Sequence, residues 1–220
     1  MRLTIFNGSP RGRGSNTSVF LEQFLSGFEA RAGNSHELFY LNRPRDMERF
    51  VQAFGEAEHV LLAFPLYCDA MPGLVKAFIE ALEPFCGREG NPDIGFLVQC
   101  AFPEAFRMRP VERHLQKLAA RLGCRYVGTI VKGGGEGARV RPKAYRKAFE
   151  GFRQLGECYG ETGQFDQDLL HRLAQPERFS KVLGILLQLM SKTKLGTAYF
   201  DKQLKENGAY ERRFARPYAE

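Results

Sequence analysis

Short apolar segments alternate with amphipathic segments along most of this chain. The apolar segments are typical of parallel strands, because a strand covered on both faces needs no polar alternation. Between and after them, apolar residues recur every three or four positions, which is the spacing of one helix face. The strand segments are residues 3–6, 37–41, 60–64, 94–100 and 126–131, and helical stripes begin near residues 18, 47, 74, 111 and 142. This alternation predicts an α/β domain, a doubly wound parallel sheet with helices on both faces.

From Asp166 onward the pattern is entirely helical, so we expect one domain over residues 1–162 and a helical extension over residues 163–220. Residues 179–190 carry a wide apolar face that is too short to span a bilayer. Three alternatives stay open for this face: packing on the domain's own core, a subunit interface, or an interfacial membrane helix. The first two are favoured over membrane association, because most amphipathic helices bury their apolar stripe within their own fold or an oligomer.

The turn after the first strand is rich in groups that bind anions. It runs from Asn7 to Thr17 and leads directly into the first helix. Backbone N–H groups and the helix dipole at such a position favour a bound dianion. Ser9, Ser15 and Thr17 offer hydroxyls, and Arg11 offers a charge-assisted hydrogen bond. The turn has neither the lysine of a Walker loop nor the third glycine of the dinucleotide fingerprint, and the plain alternative is a Gly/Ser turn without a ligand.

The turn after the third strand carries side chains suited to a flat ring. Tyr67, Cys68 and Met71 lie between the strand and Pro72, which stands where the next helix would begin. If the strand order is 2-1-3-4-5, the first and third strands diverge at the carboxyl edge of the sheet, where such folds bind ligands. Both turns would then border one crevice.

These two segments, G-S-P-R-x-x-x-S-N-T and P-x-Y-x-x-x-x-P-G-x-x-K, resemble the flavodoxin-like NAD(P)H-dependent FMN reductase family. The resemblance covers residues 1 to about 160. It implies a flavodoxin-like five-stranded parallel sheet in the order 2-1-3-4-5, with a C-terminal helical extension. It also implies FMN as cofactor, NAD(P)H as co-substrate and a homodimer.

In this interpretation the first turn holds the FMN phosphate and the ring lies across residues 65–68. Tyr67 is a candidate contact on the substrate side, and no catalytic protein residue is expected because the flavin carries the redox chemistry. Ala101 departs from the family, since relatives often have a glycine there. The expected cofactor-binding residues are Ser9, Arg11, Ser15, Asn16, Thr17, Pro65, Leu66, Tyr67, Cys68, Gln99 and Ala101.

The net charge of +7 comes mainly from residues 101–150, where twelve Lys and Arg residues face four Glu residues. This segment is either a solvated basic face or attracts an anionic partner such as the 2′-phosphate of NADPH. Aromatic residues do not interleave it, so we expect no nucleic-acid partner. Five scattered cysteines without a C-x-x-C pair indicate reduced thiols and a cytoplasmic protein, and no residue spacing is typical of a metal site.

The sequence thus predicts an FMN-dependent NAD(P)H oxidoreductase. It would pass hydride through the flavin to a small acceptor: a quinone, a nitro or azo compound, or free flavin. Two alternatives remain, a flavodoxin-type electron-transfer protein and a binding domain whose flavin site has degenerated. Cys68 and Ala101 keep the second alternative open. The glycine-rich residues 133–137 are expected to form a flexible loop or a lid over the nicotinamide side.

Overall fold

A computed structural model of the protein describes residues 1–191 and 193–216. Five parallel strands form one sheet in the order β2-β1-β3-β4-β5. The order and the fold class predicted from the sequence are therefore confirmed. The strands are β1 (Arg2–Asn7), β2 (Ser35–Tyr40), β3 (His59–Pro65), β4 (Asp93–Gln99) and β5 (Tyr126–Lys132).

Helices cover both faces of this sheet. One face carries α1 (Asn16–Phe28) and α5 (Arg146–Thr162), and the other carries α2 (Met47–Gly55), α3 (Gly73–Ala81) and α4 (Arg109–Leu122). Gly123 ends α4 in the left-handed conformation, with φ 77°, as expected for a glycine in that position. Pro142 opens a 3₁₀ turn, Pro142–Tyr145, and α5 follows it.

Two glycines bring α1 and α5 into close contact. A Cβ atom on Gly27 would overlap the carbonyl oxygen of Arg153, and one on Gly156 would overlap that of Phe24. Beside this contact the rings of Phe20 and Phe152 stack with centroids 4.9 Å apart. The close approach fixes α1 against its neighbour and thereby fixes where the first turn of α1 lies at the sheet edge.

The first compact unit is Met1–Arg178, so it includes α6 (Gln167–Leu173), which we had expected in the extension 163–220. Asp166 caps α6 by accepting a hydrogen bond from the N–H of Leu169 at 2.8 Å. Leu169 and Leu173 are buried in the core on the α1–α5 side of the sheet. This apolar contact with α5 and β5 joins α6 to the first unit, and the domain boundary at residue 162 stays a prediction.

The second compact unit is Phe179–Glu220 and contains α7 (Lys181–Ser191) and α8 (Lys194–Glu206). Within the described parts of the chain, no helix combines the length and the apolar character needed to cross a membrane.

Replacing Gly156 by alanine should destabilise the protein by about 1–3 kcal/mol, because the added methyl group forces α5 away from Phe24. The better helix propensity of alanine offsets only part of this cost. Chemical denaturation measures the change. Gly73→Ala is the control, since no atom lies within 4 Å of a Cβ added there. Equal stabilities of the two variants would contradict the close helix contact.

Candidate functional site

The carboxyl ends of β1, β3 and β4 form one continuous edge. The N–H of Gly8, just after β1, donates to the carbonyl of Ala63 in β3 at 2.7 Å. The N–H of Leu66, just after β3, donates to the carbonyl of Gln99 in β4 at 2.8 Å. A Cβ on Gly8 would overlap the side chain of Val75, so only glycine lets the chain leave β1 so close to β3.

A buried hydrogen-bond network shapes the turn between β1 and α1. Ser15 caps α1, and its hydroxyl accepts from the N–H of Ser18 at 3.1 Å. The hydroxyl of Ser18 donates to the carbonyl of Gly12 at 3.0 Å and accepts from the side-chain amide of Asn7 at 3.0 Å. Ser18 was missed by the sequence analysis, although the spacing of two serines three positions apart is a signal of helix capping.

The same turn leaves donors available for an anion. Within the described residues, the backbone N–H groups of Asn16 and Thr17 at the start of α1 have no acceptor, and neither does the hydroxyl of Ser9. Ser9 and Thr17 are almost fully buried. Gly12 has φ +54°, and a Cβ on it would lie 2.6 Å from the side-chain nitrogen of Asn42. Unpaired N–H groups at the positive end of a helix suit a phosphate dianion.

Two predicted cofactor-binding residues, Asn16 in this turn and Gln99 at the end of β4, have side chains that form hydrogen bonds within the protein. The amide nitrogen of Asn16 donates to the carbonyl of Glu136 at 2.8 Å, and its oxygen accepts from the N–H of Arg139 at 3.0 Å. The amide nitrogen of Gln99 donates to the hydroxyl of Thr17 at 3.3 Å. Asn16 therefore reaches an anion through its backbone N–H only. Arg11 is exposed beside the turn.

The turn after β3 is a tight reversal of the chain. Tyr67 and Ala70 exchange backbone hydrogen bonds of 2.9 and 3.1 Å. Between them Cys68 and Asp69 have φ of 50° and 60°, as in a type I′ turn, at positions where glycine or asparagine is usual. The turn projects Tyr67, with 45% of its surface exposed, at the sheet edge. Backbone strain of this kind gathers at binding sites.

The loop after β4 is joined to the turn that carries Tyr67. The guanidinium of Arg107 lies 3.8 Å from the carboxylate of Asp69 and 4.2 Å from the ring centroid of Phe102. Ala101 and Phe102 are exposed, whereas Cys100 is buried, and burial raises the pKa of its thiol. Cys100 is therefore a protonated packing residue at neutral pH.

The glycine-rich loop after β5 is tied down. The N–H groups of Gly134 and Gly135 donate to the carbonyls of Phe102 and Cys100, each at 2.8 Å. The hydroxyl of Tyr145 donates to the Gly134 carbonyl at 2.6 Å and accepts from the N–H of Gly137 at 3.1 Å. Together with Asn16, these bonds hold residues 133–139 at the site. These bonds give the loop one ordered conformation, and the expectation that it acts as a lid stays a prediction.

Part of the basic charge in residues 101–150 is structural. Arg109 pairs with Glu112 and Glu177, at 2.7 Å in each case, and Arg107 lies between Asp69 and Phe102 as described. The N–H groups of Ala105 and Phe106 also donate to the carbonyls of residues 176 and 177. These contacts attach the segment after α6 to the start of α4, so part of the charge that the sequence assigns to solvent or an anionic partner supports the fold.

Residues 1–132 match the sequence model of a family described as NADPH-dependent FMN reductase. This match spans more than half of the chain. The protein belongs to this family. It is accordingly an NAD(P)H-dependent, FMN reductase-like oxidoreductase, with FMN as cofactor and NAD(P)H as electron donor. Comparison with curated protein sequences found no match.

Solved structures share the fold of this FMN reductase-like protein at low sequence identity. An NADH:FMN oxidoreductase in its apo form has a TM-score of 0.58 and 18% identity, over 80% of this chain and 96% of its own. An FMN-dependent NADH-azoreductase from Bacillus anthracis, in complex with FMN, has a TM-score of 0.57 and 13% identity, over 73% and 100%. An NAD(P)H:quinone oxidoreductase from Methanothermobacter marburgensis has a TM-score of 0.56 and 17% identity, over 74% and 99%.

Asn16→Ala should loosen the loop after β5 in this FMN reductase-like protein, because two hydrogen bonds to residues 136 and 139 are lost. We expect trypsin to cleave after the exposed Arg139 about tenfold faster, in line with the loss of about 1–2 kcal/mol of local stability. Asn42→Ala is the control, since the Asn42 amide makes only a 3.5 Å contact with the Pro10 carbonyl. Equal cleavage rates in both variants would contradict this role of Asn16.

Proposed function

We propose that this protein transfers hydride from NAD(P)H through bound FMN to a small acceptor: a quinone, a nitro or azo compound, or free flavin. The observation that carries the proposal is that the anion-binding turn before α1 and the exposed Tyr67 lie on one sheet edge, linked through the hydrogen bonds of Gly8 and Leu66 to β3 and β4. The azoreductase and quinone oxidoreductase of the same fold support this class of acceptor.

In this proposal the first turn binds the FMN phosphate. The N–H groups of Asn16 and Thr17 point out of the helix start, and Arg11 adds a positive charge at the exposed side of the turn. The hydroxyls of Ser9 and Thr17 complete the donor set, whereas the hydroxyl of Ser15 is hydrogen-bonded to Ser18 and caps α1. Because the network around Ser18 already fixes the turn, little conformational entropy is lost when the phosphate binds.

In this proposal Pro65, Leu66, Tyr67 and Cys68 would hold the ring, and Gln99 and the backbone of Ala101 would contact it from the end of β4. FMN bound there would supply the hydride-transfer chemistry, and the protein would supply binding, orientation and electrostatics. Tyr67 stands at the exposed side, where its ring can contact the nicotinamide or the acceptor. Accordingly, no side chain at the site has to act as a nucleophile.

Purification and steady-state kinetics test the proposal as a whole. A yellow protein that releases FMN on denaturation and oxidises NADH or NADPH in the presence of menadione is the expected result. A flavin-containing protein that oxidises neither nicotinamide would instead favour the electron-transfer alternative. A colourless protein that takes up no added FMN would favour the degenerate binding domain.

Thr17→Ala should weaken FMN binding by about 1–3 kcal/mol, because the phosphate loses a charge-assisted hydrogen bond. Quenching of FMN fluorescence on titration measures the dissociation constant. Ser26→Ala is the matched control, since Ser26 is an exposed hydroxyl on the same helix. Both variants should remain folded by circular dichroism. An unchanged dissociation constant in Thr17→Ala would show that this hydroxyl does not contact the phosphate.

Tyr67→Ala should raise the KM for the acceptor about tenfold, whereas Tyr67→Phe should change it less than about threefold, because ring contact and not the hydroxyl carries the interaction. Steady-state kinetics at saturating NAD(P)H separates KM from kcat. If both variants behave like the wild type, Tyr67 lies outside the acceptor site. An equal rise in the KM for the acceptor in both variants would show that the Tyr67 hydroxyl carries the interaction.

A cytoplasmic setting and a homodimer belong to the same proposal. All five cysteines are free thiols, which is typical of a reducing compartment. The homodimer implied by the family resemblance stays a prediction, and sedimentation equilibrium of the full chain tests it.

A further inference from the structure

Helix α7 exposes nearly all of its large apolar side chains. Leu183, the least exposed of them, still shows 38% of its surface, and Val182 shows 78%. The exposed apolar side chains of α7 are Val182, Leu183, Ile185, Leu186, Leu187, Leu189 and Met190. Seven large apolar side chains on one short helix are a far larger exposed patch than the scattered apolar residues of an ordinary surface.

These side chains cover a wide arc of the helix. At about 100° per residue they span about 200° around the axis, centred on Leu186. The remaining strip consists of Lys181, Gly184, Gln188 and Ser191. A helix that packs on one neighbour needs a much narrower apolar stripe. The width of the arc therefore indicates a surrounding apolar medium rather than a single packing partner.

A lipid surface suits a helix as short as α7, whose 11 residues make a helix about 16 Å long. Binding to lipid needs no minimum interface area, because it grows with each inserted side chain.

The charge around α7 selects the kind of lipid. Residues 179–220 contain eight Lys and Arg residues and four Asp and Glu residues. Lys181 begins α7, and Lys192 and Lys194 follow it closely in the sequence. Basic residues beside an apolar helix are attracted to the negative surface potential of anionic headgroups. Elsewhere in this unit Phe200 and Phe214 are also exposed, as aromatic anchors at a lipid interface would be.

We propose that α7 lies in the headgroup region of an anionic lipid bilayer, with the arc around Leu186 inserted and the strip around Gln188 facing water. At about 16 Å the helix is too short to cross the hydrocarbon core of about 30 Å, so it lies in the plane of the interface. The sequence analysis favoured a protein partner for this face, whereas the width of the apolar arc and the basic residues around it favour lipid. This inference does not depend on the proposed reaction.

Flotation of the full-length protein with vesicles tests the proposal. Vesicles of phosphatidylglycerol and phosphatidylcholine should carry the wild type to the top of the gradient. Pure phosphatidylcholine should carry less of it, and raising the salt concentration should release part of the bound protein.

Leu186→Asp and Gln188→Asp form a matched pair, because each adds one negative charge to the same helix. Leu186→Asp should lower the vesicle partition coefficient about tenfold or more, since a carboxylate enters the inserted face. Gln188→Asp should lower it less than about threefold. Circular dichroism should show both variants as folded as the wild type, because both side chains are exposed.

Three results would overturn the proposal. The wild type could fail to float with anionic vesicles. The two variants could lose binding equally, which would indicate electrostatic adsorption without insertion. The wild type could dimerise without binding vesicles, with Leu186→Asp abolishing the dimer, which would make α7 a subunit interface.

Discussion

The architecture of the site depends on one constraint: β1 and β3 are neighbours, but the helices that follow them cover opposite faces of the sheet. The connections that leave β1 and β3 therefore run to opposite faces at this edge, and a crevice lies between α1 and α3. Gly8 allows this by donating to Ala63 where a side chain would meet Val75. The turn before α1, for which we propose phosphate binding, and the turn with Tyr67 lie beside each other because of this divergence.

Buried polar groups then give the crevice a fixed shape. Ser18 connects Asn7, Ser15 and Gly12 beneath the first turn, and Asn16 connects that turn to the loop after β5. These hydrogen bonds stabilise one conformation of the turn. Among the described residues of the turn, the N–H groups at the start of α1 and the hydroxyl of Ser9 remain for a ligand. In the proposed function this fixed shape favours FMN binding entropically.

The two loops on the exposed side of the site carry residues that are unusual at their positions. Cys68 and Asp69 adopt positive φ without being glycine, and Ala101 stands where the family resemblance implies a glycine. Arg107 lies between Asp69 and Phe102 and links the two loops. These loops border the exposed side of the site, so differences in acceptor preference within the family are expected to arise there. The exposed face of α7 is a separate surface with a separate partner chemistry.

The sequence alone determined the strands, the helices on each face and the two turns, because apolar periodicity and turn chemistry depend on residues only a few positions apart. It also indicated the sheet order through the family resemblance. It did not determine that Asn16 would bind residues 136 and 139, that residues 133–137 would be held by Tyr145, or that α6 would join the first unit. These contacts join residues far apart in the chain, so their partners become neighbours only after the sheet has assembled. The partner of α7 was equally undetermined, because an apolar stripe does not specify what covers it.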